Sequence, residues 1–379
     1  MPYLPPMRLT GATILREGEL RQRSVAISRG RISKGPLPGV DLEGYLILPG
    51  IVDLLFVPPP GTEPALRLRQ SSAIAARSGI TTAWVTPRWG WDHGHDAPEA
   101  TAALLHAIRP ERAPDLRRGL RIESARTECT QALVDLTQAL RIELAWFESE
   151  FAALLDQQKH RPDDFAASAV RLGTAPGILA RALDGVAERG REMPRHLCRL
   201  AEGFDDIRAR YGSIGDDGGA MREMHSMIGA GLAARPAAHS AAAAAAAMGD
   251  PVLLSLREEE RLRDFLRGGL GDAIISDGAP EGMVALALSL ARDDLADLPR
   301  IWDLMSARPA EIMRLADRGR LDHGCRADLV IVSRKTGKVE MTISGGQLTY
   351  LTGEARERFL QASLQPTRGG GDEPRIAAE

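Results

Sequence analysis

The chain lacks most features that mark secreted and membrane proteins. It has only 3 cysteines in 379 residues, at Cys129, Cys198 and Cys325, and no C-x-x-C pair. Neither a disulfide framework nor a cysteine zinc site is therefore indicated, and a cytoplasmic location is expected. No apolar run approaches the roughly 20 residues of a membrane-spanning helix, and the N-terminus has no signal-peptide pattern, so we expect no membrane partner.

An excess of charge of one sign is also absent. Lys+Arg 48 nearly balance Asp+Glu 51, which gives a formal net charge of -3. Nucleic acids and anionic membranes usually require a basic face, so nucleic acid is not expected as a partner. Because 44% of the residues are hydrophobic, the chain can bury a substantial core, and disorder throughout its length is excluded.

Short apolar runs separated by turn signals occur at both ends of the chain. Residues 7–47 and 320–352 each contain such runs, and each set is too small to be stable alone. The pattern predicts that both sets pair into one composite β-sandwich. Residues 365–379 contain three consecutive glycines and mixed charges, which predicts a disordered tail.

Between these ends, residues 48–319 alternate compact apolar segments with helical stretches rich in alanine, leucine and arginine. This alternation predicts repeated β/α units around a parallel sheet. The predicted strands are 46–55, 80–86, 120–124, 142–147, 211–215, 252–256 and 273–276. This number is close to the eight strands of a barrel. We expect a missing or degenerate strand in the remaining stretch, 151–210, whose layout the sequence leaves open.

Two motifs at the ends of the predicted barrel carry a resemblance to a known family. The run LPGIVDL at 48–54 precedes the β/α repeats, and ADLV at 327–330 follows them. With the bracketing β-segments, they resemble the amidohydrolase superfamily from about residue 7 to residue 351. The resemblance implies an α/β fold, a (β/α)₈ TIM-like barrel plus a small β-sandwich formed by both chain ends.

Further motifs resemble one branch of this superfamily. They are SGITT at 78–82, GDD at 215–217, SDGAP at 276–280 and ARPA at 307–310. The branch is the alpha-D-ribose 1-methylphosphonate 5-triphosphate diphosphatase family of phosphonate metabolism, which removes diphosphate from a sugar triphosphate with bound metal. The resemblance therefore implies a hydrolase with a metal centre at the C-terminal ends of the barrel strands.

The histidine ligands implied by this resemblance are missing. The first strand of such enzymes ends in His-x-His or His-x-Asp shortly after Pro-Gly, and here 55–57 reads Leu-Phe-Val. These side chains cannot bind a metal. Gly215 stands where the branch has a histidine before the Asp-Asp pair. The sequence Trp-Phe-Glu-Ser at 146–149, after the fourth strand, contains no imidazole.

Carboxylates remain at several positions where the resemblance implies metal binding. Asp277 follows the last strand, where the superfamily keeps an aspartate that binds metal and takes a proton from the attacking water. Asp216, Asp217 and Glu123 also match acidic positions of the branch. Carboxylates without imidazole suit Mg²⁺ or Mn²⁺ better than a zinc pair.

Each carboxylate also has a purely structural alternative. Asp277 precedes a predicted helix and could cap its free backbone N–H groups. The Gly-Asp-Asp-Gly-Gly run at 215–219 is also typical of a turn. Glu123 could be a buried partner of Arg121 or Arg126.

A histidine pair offers a metal site unlike that of the family. His93 and His95 lie just beyond the second strand, on the barrel face where active sites sit. A surface loop is the alternative, because two imidazoles one residue apart need a distant ligand to close a site. Arg88, immediately before this loop, is a candidate for contacting a substrate phosphate.

We favour a divergent member with a degraded metal centre, a pseudoenzyme or a binder of a phosphorylated small molecule. The enzymatic alternative is a hydrolase that releases diphosphate through a reduced carboxylate site holding Mg²⁺, Mn²⁺ or Zn²⁺. In it, Asp277 would accept the proton of water while Asp216 and Glu123 hold one cation. A third hypothesis is a scaffold or regulatory partner. The sequence also leaves a homo-oligomer open.

Overall fold

Seven short strands open the chain and lie outside its barrel. In the computed structural model, which describes residues 3–94, 97–109 and 112–364, they are β1 (Met7–Thr10), β2 (Thr13–Arg16), β3 (Glu19–Gln22), β4 (Val25–Ser28), β5 (Arg31–Ser33), β6 (Gly39–Asp41) and β7 (Tyr45–Pro49). The tail expected at 365–379 lies outside the described residues.

Eight parallel strands then form a nearly closed barrel. They are β8 (Ile51–Phe56), β9 (Ile80–Val85), β11 (Asp115–Glu123), β12 (Leu144–Glu148), β13 (Arg210–Ile214), β14 (Ala233–Ala234), β15 (Val252–Ser255) and β16 (Ala273–Ile275), with the two-residue strand β10 (Arg88–Trp89) beside β11. Three strands close the chain: β17 (Leu329–Ser333), β18 (Val339–Ser344) and β19 (Gln347–Leu351).

Helices connect the barrel strands and cover the barrel. They are α1 (Pro64–Arg77), α2 (Pro98–Ala107), α3 (Thr130–Leu140), α4 (Phe151–His160), α5 (Pro162–Arg171), α6 (Pro176–Glu188), α7 (Met193–Asp206), α8 (Gly219–Met227), α9 (His239–Met248), α10 (Glu259–Arg267), α11 (Met283–Arg292), α12 (Leu298–Asp303) and α13 (Ala307–Ile312). The last helix, α14 (Gly353–Leu364), follows β19 and packs against the sandwich, where Ala355 joins its apolar cluster. Within the described ranges, none of them is both long enough and apolar enough to cross a bilayer.

Both chain ends contribute to the sheets outside the barrel. One sheet has the order β5-β4-β1-β6, and the other runs β19-β18-β17-β7-β2-β3. In the second sheet β7 pairs antiparallel with β17, so that Leu48 lies opposite Val330. One apolar cluster, which includes Leu9 and Ile331, joins side chains from both sheets. The predicted fold class, a barrel plus a β-sandwich made from both ends, is confirmed.

The single strand predicted over 46–55 was wrong, because Gly50 divides it into β7 and β8. A Cβ at Gly50 would lie 2.1 Å from Thr81 Oγ1. Only glycine can pass this close to the neighbouring strand, and here the chain leaves the sandwich and enters the barrel.

The strand expected within 151–210 was also misplaced. The described chain from 151 to 206 is helical, with α4 to α7 and one short 3₁₀ turn. The barrel strand that is absent from the seven predicted ones is β14, where Ala233 pairs with Ser213 on one side and Val252 on the other. Two alanines are too short a segment to show a strand pattern in the sequence.

Asp53 closes the barrel between its first and last strands. The backbone N–H of Ser276 donates to Asp53 Oδ1 at 3.1 Å, and the Ser276 hydroxyl donates to Oδ2. The N–H of Asp277 also donates to the Leu55 carbonyl at 3.2 Å. Burial raises the pKa of Asp53 above its ordinary value, although its hydrogen bonds favour the charged carboxylate.

The barrel interior is filled by apolar side chains. Alternate residues of a barrel strand point inward, and those of seven strands meet in one cluster that includes Leu55, Trp84, Trp146, Leu253 and Ile275. The indole N–H of Trp146 donates to the carbonyl of Leu54 on the first strand, at 3.3 Å. The interior is therefore a packed core.

A buried histidine on α7 predicts a loss of stability in acid. His196 Nδ1 lies 2.6 Å from Thr130 Oγ1, and its Nε2 is buried without a hydrogen-bond partner in the part of the chain described. Burial lowers the pKa of His196 from 6.5 to about 4, although Glu128 opposes the shift. Protonation therefore favours the unfolded chain, and stability falls as pH drops from about 6.5 to about 4.

We expect this histidine to remove about 3 kcal/mol from the free energy of unfolding at pH 4 relative to pH 7. Urea unfolding at a series of pH values should show a smaller loss for His196→Gln than for the wild type. His106→Gln, at an exposed position on α2, is the control and should behave as the wild type does. Equal acid losses in the wild type and His196→Gln would contradict this assignment.

Candidate functional site

The candidate site is the mouth of the barrel at the C-terminal ends of its strands, where Asp277 follows β16. Asp277 is 3% exposed. Its Oδ2 accepts hydrogen bonds from Arg235 Nη1 at 3.1 Å and from the Ser255 hydroxyl at 2.9 Å. Arg235 and Ser255 follow or end the neighbouring strands β14 and β15. The aspartate that the family resemblance implies as a metal ligand is therefore paired with a guanidinium.

The backbone holds this ion pair in place. Asp277 and Arg235 have φ values of 45° and 48°, in the left-handed region that non-glycine residues seldom adopt. The helix-cap alternative for Asp277 does not describe its contacts, because the 3₁₀ turn at Pro280–Gly282 has no side-chain cap and α11 is preceded by Gly282. Two strained residues at one ion pair indicate that the surrounding structure enforces this arrangement.

A second polar cluster surrounds Arg88, and it is buried beside the mouth. Arg88 is 6% exposed. Its guanidinium nitrogens lie 3.2 Å from Glu123, 2.7 Å from Glu148 and 2.8 Å from Glu150. Burial opposes the charged form, but the three carboxylates outweigh it and raise the pKa of Arg88. The residue predicted to meet a substrate phosphate thus neutralises carboxylates of its own chain.

Both carboxylate oxygens of Glu123 already accept hydrogen bonds from neighbouring residues. Its Oε2 accepts from the indole N–H of Trp91 at 2.9 Å and from the backbone N–H of Glu150 at 2.9 Å. Its Oε1 accepts from the Ser149 hydroxyl at 2.7 Å. Its ion-pair partner is Arg88, whereas the partners weighed from the sequence, Arg121 and Arg126, contact Glu148 and Glu128. Glu123 therefore has little capacity left for a cation.

Asp216 belongs to a third cluster, separate from the other two. Its Oδ2 accepts from the Ser213 hydroxyl at 2.6 Å and from Arg222 at 3.3 Å, and its Oδ1 lies 2.9 Å from His225 Nδ1. Burial raises the pKa of Asp216, but the hydrogen bonds from His225 and Ser213 outweigh it, and the pKa is lowered. The neighbouring Asp217 is exposed.

The predicted histidine pair is only partly described. His93 is exposed, and its backbone N–H donates to the Leu172 carbonyl at 2.9 Å, which ties the loop to the end of α5. His95 lies outside the described residues.

The donors at the mouth do not fit a divalent cation. Across 3–94, 97–109 and 112–364, no three His, Cys, Asp or Glu side chains form a group that could hold a metal ion. Asp277, Asp216 and Glu123 each lie in a different cluster with their own nitrogen or hydroxyl donors. Leu55, at the position of an expected histidine, belongs to the apolar barrel core. The carboxylates at the mouth are therefore committed to contacts within the protein.

Arginines are the mouth residues that sequence reasoning missed. Arg257 follows β15 and is exposed, and no carboxylate of the described chain pairs with it. A Cβ placed on Gly278 would lie 4.0 Å from Arg257 Nη1, so this guanidinium borders the same loop as Asp277. Arg235 and Asp277 are 42 positions apart in sequence, and only the closure of the barrel brings them together.

The fold is shared with solved amidohydrolase-superfamily structures. Over 90% of this chain, N-acetylglucosamine-6-phosphate deacetylase from Pasteurella multocida aligns with a TM-score of 0.62 and 14% identity, covering 99% of that chain. Beta-aspartyl dipeptidase from Fervidobacterium islandicum aligns over 93% of this chain and 97% of its own, with a TM-score of 0.62 and 14% identity. These similarities confirm the fold.

The chain is also similar in sequence to one curated protein. Alpha-D-ribose 1-methylphosphonate 5-triphosphate diphosphatase from Escherichia coli is 23% identical over 377 residues, covering 88% of this chain and 97% of the relative. No family model matches the chain. The resemblance recognised from the end motifs and the Gly-Asp-Asp run is thus confirmed as a distant similarity.

Proposed function

We propose that this protein binds a phosphorylated small molecule at the barrel mouth without hydrolysing it. The observation that carries the proposal is the ion pair between Asp277 and Arg235. The family resemblance implies that Asp277 binds a metal and takes a proton from water. In this structure, Asp277 Oδ2 instead accepts hydrogen bonds from Arg235 and Ser255. A permanently charged guanidinium thereby replaces the charge that a cation would supply.

Arginine side chains at the mouth support a phosphorylated ligand. Arg257 is exposed, and the Arg235 side chain is 32% exposed although it contacts Asp277. Guanidinium groups bind phosphate through two parallel hydrogen bonds, which gives both affinity and orientation. Arg88 is excluded from this role, because it is buried against three carboxylates.

A second candidate is a hydrolase that releases diphosphate from a sugar triphosphate. The observation that favours it is the similarity to the diphosphatase, which extends over 88% of this chain. Such a hydrolase requires carboxylates that together bind a metal ion. Each of Asp277, Asp216 and Glu123 already accepts hydrogen bonds from other side chains of the protein. We therefore rank it second.

Arg257→Gln should weaken ligand binding at the mouth. Hydrogen bonds to a charged group contribute about 1.5–3 kcal/mol, so we expect a loss of affinity of about 10-fold or more. Titration calorimetry with ribose 5-phosphate and with inorganic triphosphate would measure it. Arg267→Gln is the matched control, because Arg267 is exposed at the far end of α10, which follows Arg257. Unchanged affinity in Arg257→Gln, or no binding by the wild type, would contradict the proposal.

A further inference from the structure

An open pocket of about 700 Å³ lies on the outside of the barrel, between α1 and residues 107–109 and 112–116 at the end of α2 and the start of β11. One face of α1 forms a wall of this pocket, because Ala65, Leu68, Arg69 and Ser72 follow the i, i+3, i+4, i+7 spacing of a single helix face. The volume is in the range of sites for small molecules. None of the residues that line the pocket belongs to the candidate site at the mouth.

Three exposed arginines line the pocket and supply most of its polar groups. They are Arg69, Arg109 and Arg112, and no carboxylate of the described chain forms an ion pair with any of them. Arg109 Nη1 donates to the backbone carbonyls of His106 at 2.6 Å and of Ile108 at 3.3 Å. Within the described ranges, the side chains of Arg69 and Arg112 form no hydrogen bond. The pocket therefore offers guanidinium donors that the protein itself does not use.

The carboxylates closest to these arginines are engaged elsewhere. Glu63 also lines the pocket, but its two carboxylate oxygens accept hydrogen bonds from backbone N–H groups in the first turn of α1. Asp115, beside the pocket along the chain, lies 3.0 Å from the guanidinium of Arg117 and 2.6 Å from that of Arg318. A ligand of this pocket must therefore bring its own negatively charged acceptor, to which guanidinium groups bind strongly.

The rest of the pocket is aliphatic. Leu68, Ile108, Pro114 and Leu116 line it, and Ile108 and Leu116 are buried beneath it. Among the described residues of the lining there is no aromatic ring, and the one hydroxyl is that of Ser72. Such a surface has few groups that could recognise a nucleobase or a sugar, whereas an aliphatic chain laid over it would be removed from water. The pocket thus combines unused cationic donors with an apolar floor.

We propose that this pocket binds an anionic amphiphile, a short aliphatic chain that carries a carboxylate or phosphate head group. The head group accepts hydrogen bonds from Arg69 and Arg112, and the chain lies over Leu68, Ile108 and Leu116. The site is independent of the phosphorylated-ligand site proposed at the mouth, because the two share no residue.

The test is calorimetry or ligand-observed NMR on the full chain with octanoate and octyl phosphate at millimolar concentration. Acetate and inorganic phosphate carry the head group alone, and octan-1-ol carries the chain without the charge. We expect saturable binding of at least one amphiphile, with an affinity that exceeds those of its head group and of octan-1-ol by about tenfold or more. The comparison of octanoate with octyl phosphate identifies the preferred head group. No binding of either amphiphile, or equally tight binding of octan-1-ol or of the head group alone, would overturn the proposal.

Variants locate the site. Arg69→Gln and Arg112→Gln should each weaken amphiphile binding by about tenfold or more. Arg29→Gln is the control, because Arg29 is exposed in the turn between β4 and β5 of the sandwich, outside the pocket. Arg257→Gln at the mouth should also keep the full affinity, which separates this site from the proposed phosphorylated-ligand site. Binding that survives both pocket substitutions, or that is lost in Arg257→Gln, would overturn the assignment. The comparison of amphiphiles with their parts uses the wild type, so it decides the matter even where a variant folds poorly.

Discussion

Replacing Arg88 with leucine is expected to lower the free energy of unfolding by about 3–5 kcal/mol. Arg88 is the cation that Glu123, Glu148 and Glu150 share, and the first two of these carboxylates are largely buried. Leucine would leave Glu123 without its ion-pair partner, and Glu148 would keep only the more distant Arg121 at 3.7 Å. Burial alone raises the pKa of Glu123, so without Arg88 its carboxyl is expected to take up a proton more readily.

Chemical unfolding of the wild type and Arg88→Leu measures this loss. Arg171→Leu is the matched control, because Arg171 contacts the same Glu150 at 3.1 Å but with a side chain that is 53% exposed. A pair so accessible to water contributes about 0–1 kcal/mol. If Arg88→Leu cost no more than Arg171→Leu, the buried cluster would not stabilise the fold, and the structural role that we assign to Arg88 would be wrong.

Trp146→Ala is expected to cost about 3–5 kcal/mol of stability. Trp146 is fully buried in the barrel interior, and its indole N–H bonds to the Leu54 carbonyl. Its removal leaves a cavity surrounded by strands that cannot all move inward, because they are hydrogen-bonded into one barrel. The loss tests directly whether the interior is a packed core.

Denaturant unfolding again supplies the measurement, with Trp146→Phe as the conservative comparison. Phenylalanine keeps an aromatic ring but loses the N–H and some volume, so its cost should fall well below that of alanine. A cost below about 1 kcal/mol for Trp146→Ala would show that the interior tolerates empty space. That result would contradict a barrel whose centre is a packed apolar core.

The fold could be predicted from the sequence because the patterns that indicate its strands and helices are local and repeat along the chain. Apolar runs and turn residues at both ends predicted the sandwich, and the β/α alternation predicted the barrel. The misses have local causes as well. β14 is two alanines long, and the division at Gly50 depends on how closely Thr81 approaches from the next strand.

The pairings in the candidate site could not be read in the same way. Missing histidines are visible in a sequence, whereas the partners of the remaining carboxylates depend on which strand ends meet in space. Arg235 reaches Asp277 across the ends of β14 to β16, and Arg88 reaches Glu123 over 35 positions. The sequence contains many arginines, and composition does not indicate which of them pairs with a given carboxylate.

The most direct test of the central claim is ³¹P NMR of the full chain with a ribose 5-triphosphate compound such as ATP, in the presence of Mg²⁺, Mn²⁺ or Zn²⁺. A binder without hydrolytic activity predicts triphosphate signals that shift or broaden with protein concentration and persist with every cation. Release of diphosphate that depends on one of these metals and disappears in Asp277→Asn would contradict the account, and it would establish the carboxylate-centred hydrolase instead.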